Sequence, residues 1–302
     1  MTISELHLLL TYKCTSECDH CFVFGSPDAK GVMTIADIRE ILREAKKLGN
    51  IKCIYFEGGE PFLYYPIMLK GIKEANHMGF KTGIVTNPYW ATTTEDATEW
   101  LNPISKLELS DFSLSEDTFH QDKEEGNNPK NAIEAAKKLG IPIGKITIEE
   151  PTPSICERAG LKGKPVTKGE VMFRGRAVEK LVEGVPRKPW TEFRECRHED
   201  LANPSRVHID PFGFVHLCQG LTIGNCKKEL LSELIRSYDP SSHPICRPLI
   251  EGGPVALVKK YNVPHEDGYV DECHLCYCAR LALRSKFPEY LAPGQMYGEL
   301  RE

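Results

Sequence analysis

Cys14, Cys18 and Cys21 fall within eight residues, in the run Thr11-Tyr12-Lys13-Cys14-Thr15-Ser16-Glu17-Cys18-Asp19-His20-Cys21. Three thiolates this close together are a metal-binding signal, since the thiolate is a soft ligand. A zinc site usually draws paired cysteines and finds two more ligands at a distance, and buried structural thiols would have apolar neighbours. Here the neighbours are Thr, Ser, Glu, Asp and His, and no fourth ligand is adjacent. An iron-sulfur cluster suits such a set, and a four-iron cluster normally takes four cysteines. Three would leave one iron open to another ligand. Seven further cysteines, Cys196, Cys218, Cys226, Cys246, Cys273, Cys276 and Cys278, fall in the last third, where four could hold a second cluster or a structural zinc.

The elements around the first cluster are legible. Leu6–Thr11 is strand-like, and Thr34 N-caps a helix whose Ile35, Ile38, Ile41, Leu42, Ala45 and Leu48 share one face up to Gly49. Strands at Ile51–Phe56, Lys81–Thr86, Leu107–Leu114 and Ile141–Ile148 follow, with helices at Ile67–Met78 and Asn131–Leu139 among them. That alternation requires right-handed crossovers and a mostly parallel sheet, either a barrel or an open doubly wound sheet. After Pro151 the chain turns rich in Pro, Gly, Lys and Arg, with one helical stretch around Arg176–Val182. Arg206–Ile209 and Phe214–Leu217 read as a hairpin across Asp210-Pro211-Phe212-Gly213. The change of texture predicts two domains, 1–185 and 186–302.

Composition narrows the function classes. A chain of 302 residues, 41% hydrophobic and 27% charged, has ample material for a core. A net charge of −5 argues against a nucleic-acid binder held by phosphate contacts. The opening lacks a basic signal-peptide region, and no apolar run approaches the roughly 20 residues a bilayer needs, so the expectation is a cytoplasmic protein with no membrane partner. Thiols stay reduced there, which favours metal ligation over disulfides for the 12 cysteines.

The CxxxCxxC spacing after the first strand of a parallel α/β fold resembles the radical SAM superfamily. The resemblance implies a partial (β/α)6 TIM-like barrel. It also implies a four-iron cluster whose open iron chelates S-adenosylmethionine, and cleavage of that cofactor to a 5′-deoxyadenosyl radical that abstracts hydrogen from a C–H bond. An electron donor such as flavodoxin or ferredoxin would feed it. Gly58-Gly59-Glu60-Pro61 resembles the family's GGE motif at the cofactor's amino group, with Glu60 as an added acceptor, although by itself it reads equally as a turn. Thr86-Asn87 resembles the strand-end TN. Ser113-Leu114-Ser115 resembles SxD with serine where aspartate stands, which makes Ser113 the ribose-side residue. Ile146–Glu149 occupies the adenine-contacting place without its glycines.

The second cysteine group resembles the SPASM/twitch extension of that superfamily, a small cysteine-rich α+β domain. Its marks here are Gly213–Cys218 with GxxxxC spacing, the Cys273-His274-Leu275-Cys276 CxxC, and Phe173-Arg174-Gly175-Arg176-Ala177 upstream. Cys276-Tyr277-Cys278 departs from the full pattern and implies the shorter twitch form, with one auxiliary four-iron cluster on Cys196, Cys218, Cys273 and Cys276. Cys226 or Cys246 could instead complete a site with Cys278, or Cys278 could replace Cys276. An auxiliary cluster with four cysteine ligands implies acceptance of an electron from a substrate radical, hence an oxidoreductase acting on a small molecule or a peptide. Glu149, Arg174 and His216 stand by position as candidates for the accompanying base. Cys156 would be the hydrogen donor of an epimerase, and Cys53 reads equally as buried or inward-facing. The start of the first strand within ten residues of Met1 shifts the expectation slightly toward a small molecule or toward a separate recognition protein. The rival of another class is a non-catalytic metal-binding scaffold.

Overall fold

A computed structural model describes residues 3–120, 127–157, 162 and 164–299. Its centre is an eight-stranded sheet, built from β1 (Glu5–Thr11), β2 (Cys53–Gly58), β3 (Lys81–Thr86), β4 (Leu109–Ser115), β5 (Gly144–Ile146), β9 (Arg206–Ile209), β10 (Phe214–Cys218) and β11 (Leu221–Asn225). The order is β11-β10-β9-β1-β2-β3-β4-β5. From β9 to β5 all neighbours are parallel, which makes six adjacent parallel strands; β10 runs against them beside β9, and β11, antiparallel to β10, closes the edge. The mixed α/β, partial-barrel character expected from the alternation is present. The sixth parallel strand, however, is not a continuation after β5. It is β9, whose residues pair with β1 through Glu5 with Arg206 and His7 with His208. The sheet thus runs through the point where the sequence changes texture.

The helices are α1 (Ile35–Leu48), α2 (Tyr65–His77), α3 (Thr94–Leu101), α4 (Asn128–Lys138), α5 (Ala177–Lys180), α6 (Leu231–Ser237), α7 (Cys246–Tyr261) and α8 (Glu272–Leu283). In α1, Thr34 Oγ1 accepts from the Asp37 amide, the Asp37 carboxylate accepts from the Thr34 amide, and Gly49 closes the helix at φ 77° with its N–H on Ala45 O. Helix α4 starts earlier than its apolar spacing suggested, because Pro129 is pre-set for a helix's first turn. Helix α3, capped by Thr93, fills the βα unit in which the sequence marked no helix. Apart from the main sheet, β6 (Thr152–Ile155) pairs antiparallel with β7 (Pro165–Lys168), and β8 (Lys188–Pro189) pairs with β12 (Gly268–Tyr269). The core runs continuously from Leu6, Leu8, Ile54, Phe56, Ile84 and Phe112 to Val207, Val215 and Leu275. No helix among the described residues is long and apolar enough to cross a membrane.

Candidate active site

The chain leaves β1 at Thr11 and makes a long loop before α1. Its base is tied by Cys14 N–H to Ser26 O (2.9 Å) and Met33 N–H to Leu10 O (2.8 Å). Inside it, Cys21 N–H donates to Cys18 O (3.0 Å), and Gly25 N–H donates to Cys21 Sγ (3.3 Å). The loop has no secondary structure to hold it, and its brace comes from Arg174-Gly175-Arg176. The buried Arg176 guanidinium donates to Cys18 O (2.8 Å) and Gly25 O (2.9 Å), and its backbone N–H reaches Cys21 O (2.9 Å). Gly175, at φ +62°, leaves room for this approach, since a Cβ there would stand 2.5 Å from Phe22 Cα.

Arg176→Met is therefore expected to lower the iron content of the Cys14 loop and the melting temperature together. Each carbonyl left unpaired costs about 1–3 kcal/mol. Iron analysis beside thermal unfolding checks this, and unchanged iron would show that the loop holds its shape without the clamp.

Cys14, Cys18 and Cys21 line a cavity of about 320 Å³ at the carboxyl ends of the parallel strands, shared with Gly58, Gly59 and Asn87. Gly59 packs against the cysteine loop so closely that a Cβ would lie 2.3 Å from Lys13 O. Asn87 is buried and donates to Cys14 Sγ (3.6 Å) and Thr15 Oγ1 (3.2 Å). Burial pushes the Cys14 thiol up to about 11 and the Cys18 thiol well above its ordinary value. Thiolates there call for added positive charge, which an iron-sulfur core supplies.

Several residues singled out from the sequence lie elsewhere. Glu60 is fully buried and faces the core: its Oε1 accepts from Phe62 N–H (2.9 Å) and sits 2.7 Å from Thr86 Oγ1, and its Oε2 accepts from Asn87 N–H (2.8 Å). Burial pushes its carboxyl up to about 8. Its backbone N–H donates to Lys13 O (2.8 Å), and its carboxyl group is spent on neighbouring turns. Ser113 donates to Asp111 (3.0 Å) and is absent from the cavity wall, which holds Ser115 and Asp117. Ser115-Glu116-Asp117 repeats the SxD spacing one step further along, where the strand ends, so the aspartate missing from the first register is present in the second.

His216 is inaccessible, with Nε2 3.2 Å from Asp210 and Nδ1 accepting from Gly220 N–H (3.2 Å), so it fixes a turn rather than facing the cavity. Glu149 is exposed and outside the cavity wall, as is the buried Cys156 after β6, and Cys53 is buried on β2.

Arg174 is the one of these candidates that reaches the cavity, but its guanidinium stays protonated and is no base. It lines the cavity and also a second, smaller pocket that brings together Cys196, Cys218, Cys273 and Cys276 with Arg280. Its Nη1 donates to Cys218 Sγ at 3.2 Å. Burial works against its charge, but Cys218, Cys273 and Glu199 more than offset that. Cys273 and Cys276 share a face of α8 at i, i+3, whereas Cys278, two residues on, points toward Glu266 and Arg187. Cys226 lies in a groove with Asp37 and Lys227, and Cys246 is buried at the start of α7. Among the described residues, the sets of three His, Cys, Asp or Glu ligand atoms within 4.8 Å of one another contain no cysteine. A single tetrahedral zinc, at about 2.3 Å from each sulfur, would draw its thiolates closer than that.

Residues 8–148 match the Radical SAM superfamily. Over 263 residues, 85% of this chain and 73% of the relative, the sequence is 23% identical to the Bacillus subtilis protein YydG, which carries a peptide-biosynthesis description. An 83-residue stretch, 27% of this chain and 23% of the relative, is 36% identical to a cofactor-modifying protein for tungsten-containing aldehyde ferredoxin oxidoreductase from Pyrococcus furiosus. Among solved structures, Streptococcus suis SuiB bound to S-adenosylmethionine aligns over 85% of this chain and 75% of its own, at 14% identity and a TM-score of 0.43.

Proposed function

Because residues 8–148 carry the radical SAM superfamily's domain, which works with a four-iron cluster and S-adenosylmethionine, we propose that this enzyme oxidises a peptide side chain or backbone position and passes an electron to an auxiliary cluster. Bound in the cavity, the cluster and S-adenosylmethionine supply the organic radical that takes a hydrogen atom from substrate. Cys14, Cys18 and Cys21 would hold that cluster. Gly58 and Gly59 offer backbone at close approach, and Ser115 and Asp117 offer polar contacts to the cofactor's sugar. The apolar walls, including Leu9, Val23 and Val85, exclude water from the reacting centre.

The observation that carries the reading is the position of Arg174. It lines both the cavity and the pocket of Cys196, Cys218, Cys273 and Cys276, so substrate and auxiliary cluster would meet across one side chain. Arg174 and Arg280 place two buried guanidiniums beside those thiols, which favours the reduced, more negative state of a cluster there. A peptide is favoured over a small metabolite by the relative with a peptide-biosynthesis description, whose similarity spans both halves of this chain. Hydrogen return by a thiol has less support, because the cysteines lining the cavity are the three of the cluster loop.

The test is anaerobic turnover of the reduced holoenzyme with S-adenosylmethionine and short peptides encoded beside its gene. Formation of 5′-deoxyadenosine together with a 2 Da loss in one peptide is expected. Deuterium uptake from solvent at an unchanged mass formula would replace oxidation with epimerisation, and stimulation only by metabolites would reject the peptide.

A further inference from the structure

Below the cysteine loop, on the inner face of the sheet, three titratable side chains from three adjacent strands converge. His7 (β1), Glu57 (β2) and His208 (β9) all line the cavity. His7 Nδ1 stands 3.2 Å from Glu57 Oε2, and His208 Nε2 stands 3.2 Å from Glu57 Oε1. The two imidazoles lie 4.9 Å apart at a 47° tilt, and Tyr55 stacks on His7 at 4.5 Å, which fixes that ring. One ligand atom from each of the three comes within 4.8 Å of the others.

The cluster is incompletely satisfied by protein alone. His7 Nε2 and His208 Nδ1 are buried without a hydrogen-bond partner, and His208 is 7% exposed. Glu5 approaches His7 Nε2 at 3.5 Å, an ion-pair distance without a hydrogen bond.

We propose that His7, Glu57 and His208 form a binding site for one divalent first-row metal ion, separate from the iron-sulfur clusters. Two imidazoles and one carboxylate are a donor set that takes zinc, iron(II) or manganese(II). Glu5, 3.5 Å from the far nitrogen of His7, is placed to become the outer carboxylate of a carboxylate–histidine–metal arrangement when Nδ1 ligates an ion. The strands supply these three ligands from one side, so further coordination positions face the cavity and are open to a carbonyl or carboxylate oxygen of a bound molecule. The site depends on the sheet alone, and stands whether or not the cavity oxidises a peptide.

Cluster-replete protein, washed with chelator and then dialysed against Zn²⁺, is expected to retain one zinc per chain with its iron and sulfide unchanged. Glu57→Gln and His208→Gln are each expected to weaken zinc retention about 10-fold or more, with iron still unchanged. A Cys226→Ala/Cys278→Ala protein is expected to bind zinc as the parent does. Absence of retained zinc from the parent, or its survival in both cavity variants, overturns the proposal. Loss of zinc in the cysteine variant instead places the ion on the free thiols and overturns it too.

Discussion

Replacing Cys18 with alanine is expected to abolish 5′-deoxyadenosine formation by the reduced protein and to remove about four of roughly eight irons per chain. The loop offers no substitute thiolate: the cysteines lining the cavity are Cys14, Cys18 and Cys21, and the other cysteines lie on other elements. Cys14→Ala and Cys21→Ala should behave alike, since each removes one of three thiolates and a four-iron core held by two is not retained. The fold should persist, because the brace from Arg176 runs to the backbone carbonyls of Cys18 and Gly25 and not to the thiols. Far-UV circular dichroism unchanged beside lost cofactor cleavage is the expected pattern. Cleavage at the parent rate in any of the three variants would remove the catalytic role from this loop.

What the sequence revealed about this site, and what it hid, follows from the range of the interactions. CxxxCxxC, the Thr34 N-cap and the Asp210–Gly213 turn are local patterns, set by residues within a few positions of one another, and each was readable in advance. The hairpin of β9 and β10 was legible for the same reason, but its attachment to β1 was not, because no local signal says which edge a strand will join. That attachment brings His208 beside His7 and creates the cavity floor. Glu60 misled because a motif records which residue stands in a turn and not where its side chain goes; the inward turn became visible only with Phe62, Thr86 and Asn87 around it. The Ser113 reading failed by one strand period. Asp111, Ser113 and Ser115 alternate onto one face, and only the position of the strand end shows that Ser115 and Asp117 reach the cavity. The pairing of Cys273 with Cys276, to the exclusion of Cys278, was in principle readable from helical spacing once the segment was known to be α8.

The double variant Cys273→Ser/Cys276→Ser is expected to separate cofactor cleavage from product. It should lose about four irons, as the Cys18 variant does, but from the other pocket. The two cysteine groups are held by different elements, the loop after β1 and helix α8, so the loop should keep its cluster and continue to cleave S-adenosylmethionine in the presence of substrate. Product should fall far more than 5′-deoxyadenosine, because the substrate radical has lost its electron acceptor while its formation is untouched. Arg174 makes the direction of this effect specific. It stands between cavity and thiols, and in the double variant its guanidinium keeps Glu199 at 3.6 Å and Cys218 Sγ at 3.2 Å but loses Cys273. Equal loss of cleavage and product would mean that the second pocket supports the catalytic loop structurally. Full product at half the iron would mean that the electron leaves by another route, and the pocket of Cys196, Cys218, Cys273 and Cys276 would then serve only to hold the C-terminal elements together.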